Sequence, residues 1–118
     1  MMVPLLRMAI GWGWLSVLLL GCSTTLYSWG RYEQRIYASH VAPGTMSLEA
    51  QAAELERDGE KARAERKRMP PGFHAQLGYL YVQLGKLDQA RRELEAEKAE
   101  FPESAVFVDR ALASLPKP

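Results

Sequence analysis

Two adjacent prolines, Pro70-Pro71, followed by Gly72, cut this chain where no helix can run through, because proline offers no amide and its ring blocks the preceding turn. The next thirty residues are just as firmly punctuated. Phe73 to Leu84 and Leu87 to Phe101 are two runs of helical character separated by Gly85-Lys86, and Pro102 closes the second. The spacing predicts a helical hairpin. Leu77, Gly78, Tyr81 and Leu84 share one face of the first run, with the glycine allowing close backbone approach. Leu87, Ala90, Leu94 and Phe101 form the answering face of the second.

His74-x-x-Leu77-Gly78-x-x-Tyr81, then Ala90-x-x-x-Leu94 and Pro102, resembles a tetratricopeptide repeat. The window Pro71 to Ser104 spans 34 residues, the length of that repeat. His74 stands where the repeat often has Trp and Leu94 where it often has Phe, changes that alter neither helix length nor the placement of small residues. Ser104 is expected to cap a last helix carrying Val108, Ala111, Leu112 and Leu115 on one stripe, with Pro116 ending it. Repeat arrays need about three units to bury a continuous core, and here one is clear. An upstream pair of helices acting as a degenerate first hairpin is the preferred completion, and a second protein chain the other. The resemblance implies a concave groove for a peptide or helix, with Tyr81 as a contact residue.

Upstream, the Ser47 hydroxyl is placed to cap a helix running to about Arg68, with Glu49 favourably set against its positive end. Leu48, Ala52, Leu55 and Ala62 trace its apolar face. That stripe is narrow and Gly59 interrupts it, so the second half is expected to be loosely held. Lys61, Arg63, Arg66, Lys67 and Arg68 form a basic run at its end. Two readings stand for that run: a solvated helix end suited to the negative helix pole, which is favoured, or a contact for lipid phosphates or an acidic partner. Pro43-Gly44 centres a turn over His40 to Thr45. Before it, a short helix from about Trp29 to Ser39 would align Trp29, Tyr32 and Ile36. Those aromatics fit core packing better than an exposed interfacial or partner-binding role, and both uses stay open.

The amino-terminal end is different in kind. Met8 to Gly21 is an uncharged, mostly apolar stretch of 14 residues preceded by Arg7, which reads as the h-region and n-region of a signal peptide spanning 1–21. It falls short of the roughly 20 apolar residues that a spanning helix needs. Leu19-Leu20-Gly21-Cys22 resembles a bacterial lipobox. The resemblance implies cleavage after Gly21, diacylglycerol on the Cys22 thiol and attachment to a membrane through it. Ser23, in place of an aspartate, implies sorting to the outer membrane. The bland alternative makes Cys22 a small buried residue after an ordinary signal peptide. Residues 22–28 then serve as a tether and 29–118 as an all-α domain, a short tetratricopeptide-like helical array with its clearest repeat at 71–104.

Charge and cysteine usage narrow the function classes. The single cysteine excludes an internal disulfide and a cysteine-rich zinc site. Only Arg7 precedes Cys22, so the mature part balances 14 basic against 14 acidic residues, and no general basicity points to nucleic acid. No nucleophile with its base, metal-ligand spacing or phosphate-cradling glycine loop is found, so an enzyme, a cofactor and a small-molecule substrate are not expected. His74 is expected to be a helix-packing residue. Glu93, Glu95, Glu97, Glu100 and Glu103 are expected on a solvated outer face.

Leu26-Tyr27-x-Trp29-Gly30-x-Tyr32 after a lipobox, Pro71-Gly72-Phe73-His74-Ala75-x-Leu77-Gly78, and Glu97-Lys98-x-x-Phe101-Pro102-Glu103-Ser104-Ala105 together resemble the domain-of-unknown-function 4810 family of small lipoproteins. That resemblance implies an envelope assembly with a curli-secretion-channel-like protein and another lipoprotein. The expected function is therefore a non-catalytic adaptor, anchored on the periplasmic side of the outer membrane. A passive structural lipoprotein and, third, a small cell-wall-acting enzyme are the alternatives. Trp29, Tyr32, His74 and Tyr81 are the expected partner-binding residues.

Overall fold

A computed structural model describes residues 25–117. The fold is all-α. Five helices are described: α1 Tyr32–Val41, α2 Leu48–Ala64, α3 Phe73–Gln83, α4 Leu87–Glu100 and α5 Ala105–Ser114, with a 3₁₀ turn Pro102–Ser104 leading into the last. The signal peptide, lipobox, Cys22 and Ser23 lie outside the described residues.

The helical hairpin forms as the punctuation predicts. Helix α3 is apolar on nearly every side because it is the central element, packed by both α2 and α4: Phe73, Leu77, Gly78, Leu80 and Tyr81 are all buried. At Gly78 the two backbones meet, since a Cβ there would stand 3.2 Å from Leu94 Cγ and 3.3 Å from the Ala90 carbonyl oxygen. Ala90 is wholly buried opposite it. The core thus runs through Ala52, Leu55 and Ala62 of α2, Met69, the buried face of α3, and Ala90. A smaller extension, Leu94, Phe101 and Val108, carries α5.

Helix α2 stops at Ala64, short of the expected Arg68. Arg66 turns left-handed at φ 54°, the Arg66 amide donates to the Arg63 carbonyl, and the Lys67 amide donates to Ala62 at 2.9 Å. That is a Schellman closure with arginine where glycine is usual. The prolines therefore sit beyond a helix that has already ended. The second half of α2 is not loose: Ala62 is buried, and Gly59 lies flat against the Phe73 ring, a Cβ there falling 3.5 Å from its edge. The cap at Ser47 is present, its hydroxyl accepting from the Ala50 amide at 3.2 Å. At α5, by contrast, Ser104 is no cap. The 3₁₀ turn flows into the helix and turns the Ser104 hydroxyl back to donate to the Phe101 carbonyl at 2.7 Å.

Helix α1 begins at Tyr32, not Trp29, because Gly30 is left-handed at φ 47° and breaks the helical path. Trp29 consequently leaves the stripe shared by Tyr32 and Ile36. No residue of α1 is buried. The helix is held by Tyr32 against Phe73, ring centroids 6.0 Å apart, and by Arg35, whose Nη1 donates to Asp58 at 2.6 Å. Arg35 Nε lies 3.1 Å from Glu54 Oε2, but its N–H is not aimed there, so that contact is an ion pair without a hydrogen bond.

Candidate functional site

Two concavities flank α3. One, of about 610 Å³, lies where α1, the turn after it, the start of α2 and the outer edge of α3 converge. Its walls are Ile36, Met46, Leu48, Tyr79 and Leu80, with Gln76 and Gln83 at the rim. Three causes make it. Gly44, left-handed at φ 89°, carries the chain round the Ala42–Thr45 turn. Ser47 starts α2 at a fixed point, and α3 presents residues 76, 79, 80 and 83 on the side away from α4. Tyr79 is 56% exposed and Met46 40%, so the groove offers large apolar groups that no described residue covers.

The other cleft, of about 430 Å³, lies between α2, the 65–69 linker and α4. His74, Glu93 and Glu100 line it, and the start of α3 adjoins it. Gly72 is the N-cap, left-handed at φ 89° and without a side chain to cap the helix. Glu97, on α4, supplies the missing acceptor: Oε1 takes the Gly72 amide at 2.7 Å and Oε2 the Ala75 amide at 3.3 Å. A carboxylate at a helix amino terminus is favoured both by the orphan amides and by the helix dipole. Glu97 is only 3% exposed, so the expectation of a solvated acidic face is corrected there. Glu93 and Glu100, one helical turn to either side, turn the same way and bracket His74, at 2.7 Å from Nδ1 and 3.5 Å from Nε2.

His74 therefore both packs and pairs. Its ring stands edge-on to Phe73 at 5.4 Å between centroids. Burial pulls its pKa down, but the carboxylates of Glu93, Glu100 and Glu97 outweigh that and hold it above the ordinary 6.5. Tyr32 overlooks the same cluster, its hydroxyl pushed above the usual range by burial and by the Glu97 charge. Among the described residues no trio of histidine, cysteine and carboxylate side chains is set to hold a metal ion.

The residues singled out from sequence fall in separate places. Leu77, Gly78, Tyr81, Ala90 and Leu94 meet in the hairpin core, while Pro102 is exposed and opens the 3₁₀ turn. Tyr81 is turned inward, 4% exposed, and its hydroxyl donates to Glu56; it lines the polar cleft and not the apolar groove. Helical phase explains the difference: Tyr81 continues the Leu77 stripe, whereas Tyr79 falls on the opposite side and reaches the surface. His74 is spent on its glutamates and Tyr32 is half-buried on Phe73. Trp29 is 43% exposed and edge-on to Tyr27 at 6.4 Å.

Sequence reasoning misses Glu97, although a signal is there. Ala90, Leu94, Glu97 and Phe101 step along one helical stripe, so Glu97 sits at a core position among apolar residues. Comparison with known proteins adds one finding: a family model described as "Domain of unknown function (DUF4810)" matches residues 26–111. No curated protein and no solved structure matches the chain.

Proposed function

The chain belongs to the DUF4810 family, and from that premise we propose that it is a lipid-anchored cell-envelope lipoprotein acting as a non-catalytic protein-interaction adaptor. The observation that carries this reading is the groove between α1 and α3, with Met46 and Tyr79 exposed among Ile36, Leu48 and Leu80. An apolar trough of that kind between helices receives an amphipathic helix or an extended peptide, its apolar side chains entering while polar rim groups such as Gln76 and Gln83 set the register. Stacked helical pairs commonly bind in this way, and the 34-residue spacing of the hairpin supports a tetratricopeptide-like reading of the domain. The lipobox-like Leu19-Leu20-Gly21-Cys22 supports anchoring through Cys22, and Ser23 supports the outer membrane as its destination. The partner proposed is a protein of an outer-membrane or secretion-related assembly, a curli-secretion-channel-like protein with a second lipoprotein.

Two experiments test this reading separately. A photo-crosslinking residue in place of Tyr79, introduced in the producing cell, is expected to capture a defined protein, and Tyr79→Asp to abolish its co-purification after mild detergent extraction. Capture of nothing defined from that position, or a companion that survives Tyr79→Asp, would contradict the groove. For the anchor, Cys22→Ser is expected to eliminate labelling by radioactive palmitate and release the protein from the membrane fraction. Persistent labelling would remove Cys22 from the account.

A further inference from the structure

The described chain does not leave the domain freely at its amino-terminal end. Tyr27 forms a parallel bridge with Arg68, and the Ser28 amide donates to the Arg68 carbonyl at 2.7 Å. The Arg68 guanidinium stands over the rings of Tyr27 and Phe101, at 6.0 and 5.4 Å. Residues 27–28 are thereby pinned to the linker between α2 and α3. This fixes the place where a lipid on Cys22 would join the domain, because five residues reach at most about 18 Å even fully extended.

Around that junction the exposed residues include large apolar groups and several cations. Leu26 is 68% exposed and Trp29 43%, and the adjoining end of α2 with its linker carries Lys61, Arg63, Arg66, Lys67 and Arg68. Glu65 answers Lys61 and Lys67, at 4.0 and 3.1 Å, whereas Arg63 and Arg66 have no ion-pair partner among the described residues. Arg66 is moreover held left-handed at the helix closure, which fixes the projecting turn. Cations beside exposed Trp and Leu within a short reach of an acyl anchor fit a phospholipid surface: the cations meet phosphate, and the indole takes the headgroup level that tryptophan prefers.

We propose that the end of α2 and the linker after it, residues 61–68, together with Leu26 and Trp29, form a membrane-docking surface that seats the domain on anionic phospholipid beside its anchor. The inference rests on the lipoprotein reading, since without Cys22 acylation nothing brings this surface to a bilayer. None of the groove residues Ile36, Met46, Leu48, Tyr79 and Leu80 belongs to this surface.

Cleavage before Cys22 removes Trp12 and Trp14 and leaves Trp29 as the one tryptophan of the mature protein, a built-in depth probe. The full-length precursor, processed and lipidated in its host, is purified and reconstituted into vesicles of neutral or partly anionic phospholipid, with and without brominated acyl chains. Flotation reads anchoring, and Trp29 fluorescence reads docking. In anionic vesicles Trp29 emission is expected to shift to the blue and be quenched by bromine. Each cation contributes about fivefold to surface attachment, so Arg63→Glu with Arg66→Glu should lose both signals while still floating, and the Arg63→Lys with Arg66→Lys control should keep them. Protein that floats in every case but shows the same Trp29 emission in neutral, anionic and charge-reversed samples overturns docking and leaves the anchor standing. Protein that does not float overturns both. Retained quenching in the charge-reversed variant, with loss of a co-purifying acidic protein, would make the surface a protein interface and overturn the proposal.

Discussion

Helices α3 and α1 lie on either side of the same groove and are held by opposite means. Helix α3 is buried along most of its length: Gly78 brings it within van der Waals contact of the α4 backbone, and Glu97 satisfies its first amides from across the hairpin. Helix α1 buries no residue and is held by one ring contact, Tyr32 on Phe73, and by Arg35 between Glu54 and Asp58. Burial of apolar surface gives most of the stability of a small domain, while half-exposed ion pairs give little. One wall of the groove is therefore anchored by burial and the other mainly by polar contacts at its surface.

Phe73 is the side chain on which both regions depend, since its ring touches Gly59 of α2, Tyr32 of α1 and His74 of its own helix. Phe73→Ala should produce the largest loss, about 3–5 kcal/mol in urea unfolding, and should free α1 as well as loosen the α2–α3 seam. If α1 kept its order in that variant, the comparison would break at its root. Glu97→Ala acts at the start of α3. It strips the half-buried amides of Gly72 and Ala75 of their acceptor and should cost about 1–3 kcal/mol in urea unfolding.

Gly59→Ala works in the other direction. The position is helical, and the added methyl would rest on the Phe73 ring at an ordinary contact distance of 3.5 Å. A gain of up to about 1 kcal/mol is expected from helix propensity, read as a raised urea midpoint. The smallest effect concerns pH. His74 has a folded pKa above its ordinary 6.5, so the folded state binds the proton more tightly than the unfolded one. Its contribution to stability is thus complete below about pH 6.5 and is lost as pH rises through the folded value. Urea midpoints of the native protein should fall across that window, and His74→Gln should flatten the slope.

Legibility in the sequence divides along the same line. The hairpin can be read because its limits are written in residues with fixed backbone consequences: Pro70-Pro71, Gly85 and Pro102 bound two runs whose apolar periodicity is unambiguous. The end of α2 escapes such a reading because an arginine, Arg66, takes the left-handed position where glycine gives the usual signal. The start of α1 escapes it because Gly30 looks like a tolerable interruption in an aromatic stripe, while its positive φ ends the helical path. Tyr79 and Glu97 are harder. Each takes its role from a helix packed across from it, and composition alone favours the ordinary choice, tyrosine in the core and glutamate in water. Only the phase relative to the Leu77–Tyr81 and Ala90–Leu94 stripes separates them.

Native-state hydrogen exchange, followed amide by amide at low urea, tests the contrast most directly. Amides of α3 and α4 are expected to exchange only through global unfolding, with opening free energies that fall steeply with urea. Those of Tyr32–Val41 should exchange through a local opening nearly independent of urea. Exchange from α1 with the same free energy and urea dependence as α3 would contradict the account, because both walls of the groove would then belong to one cooperative unit.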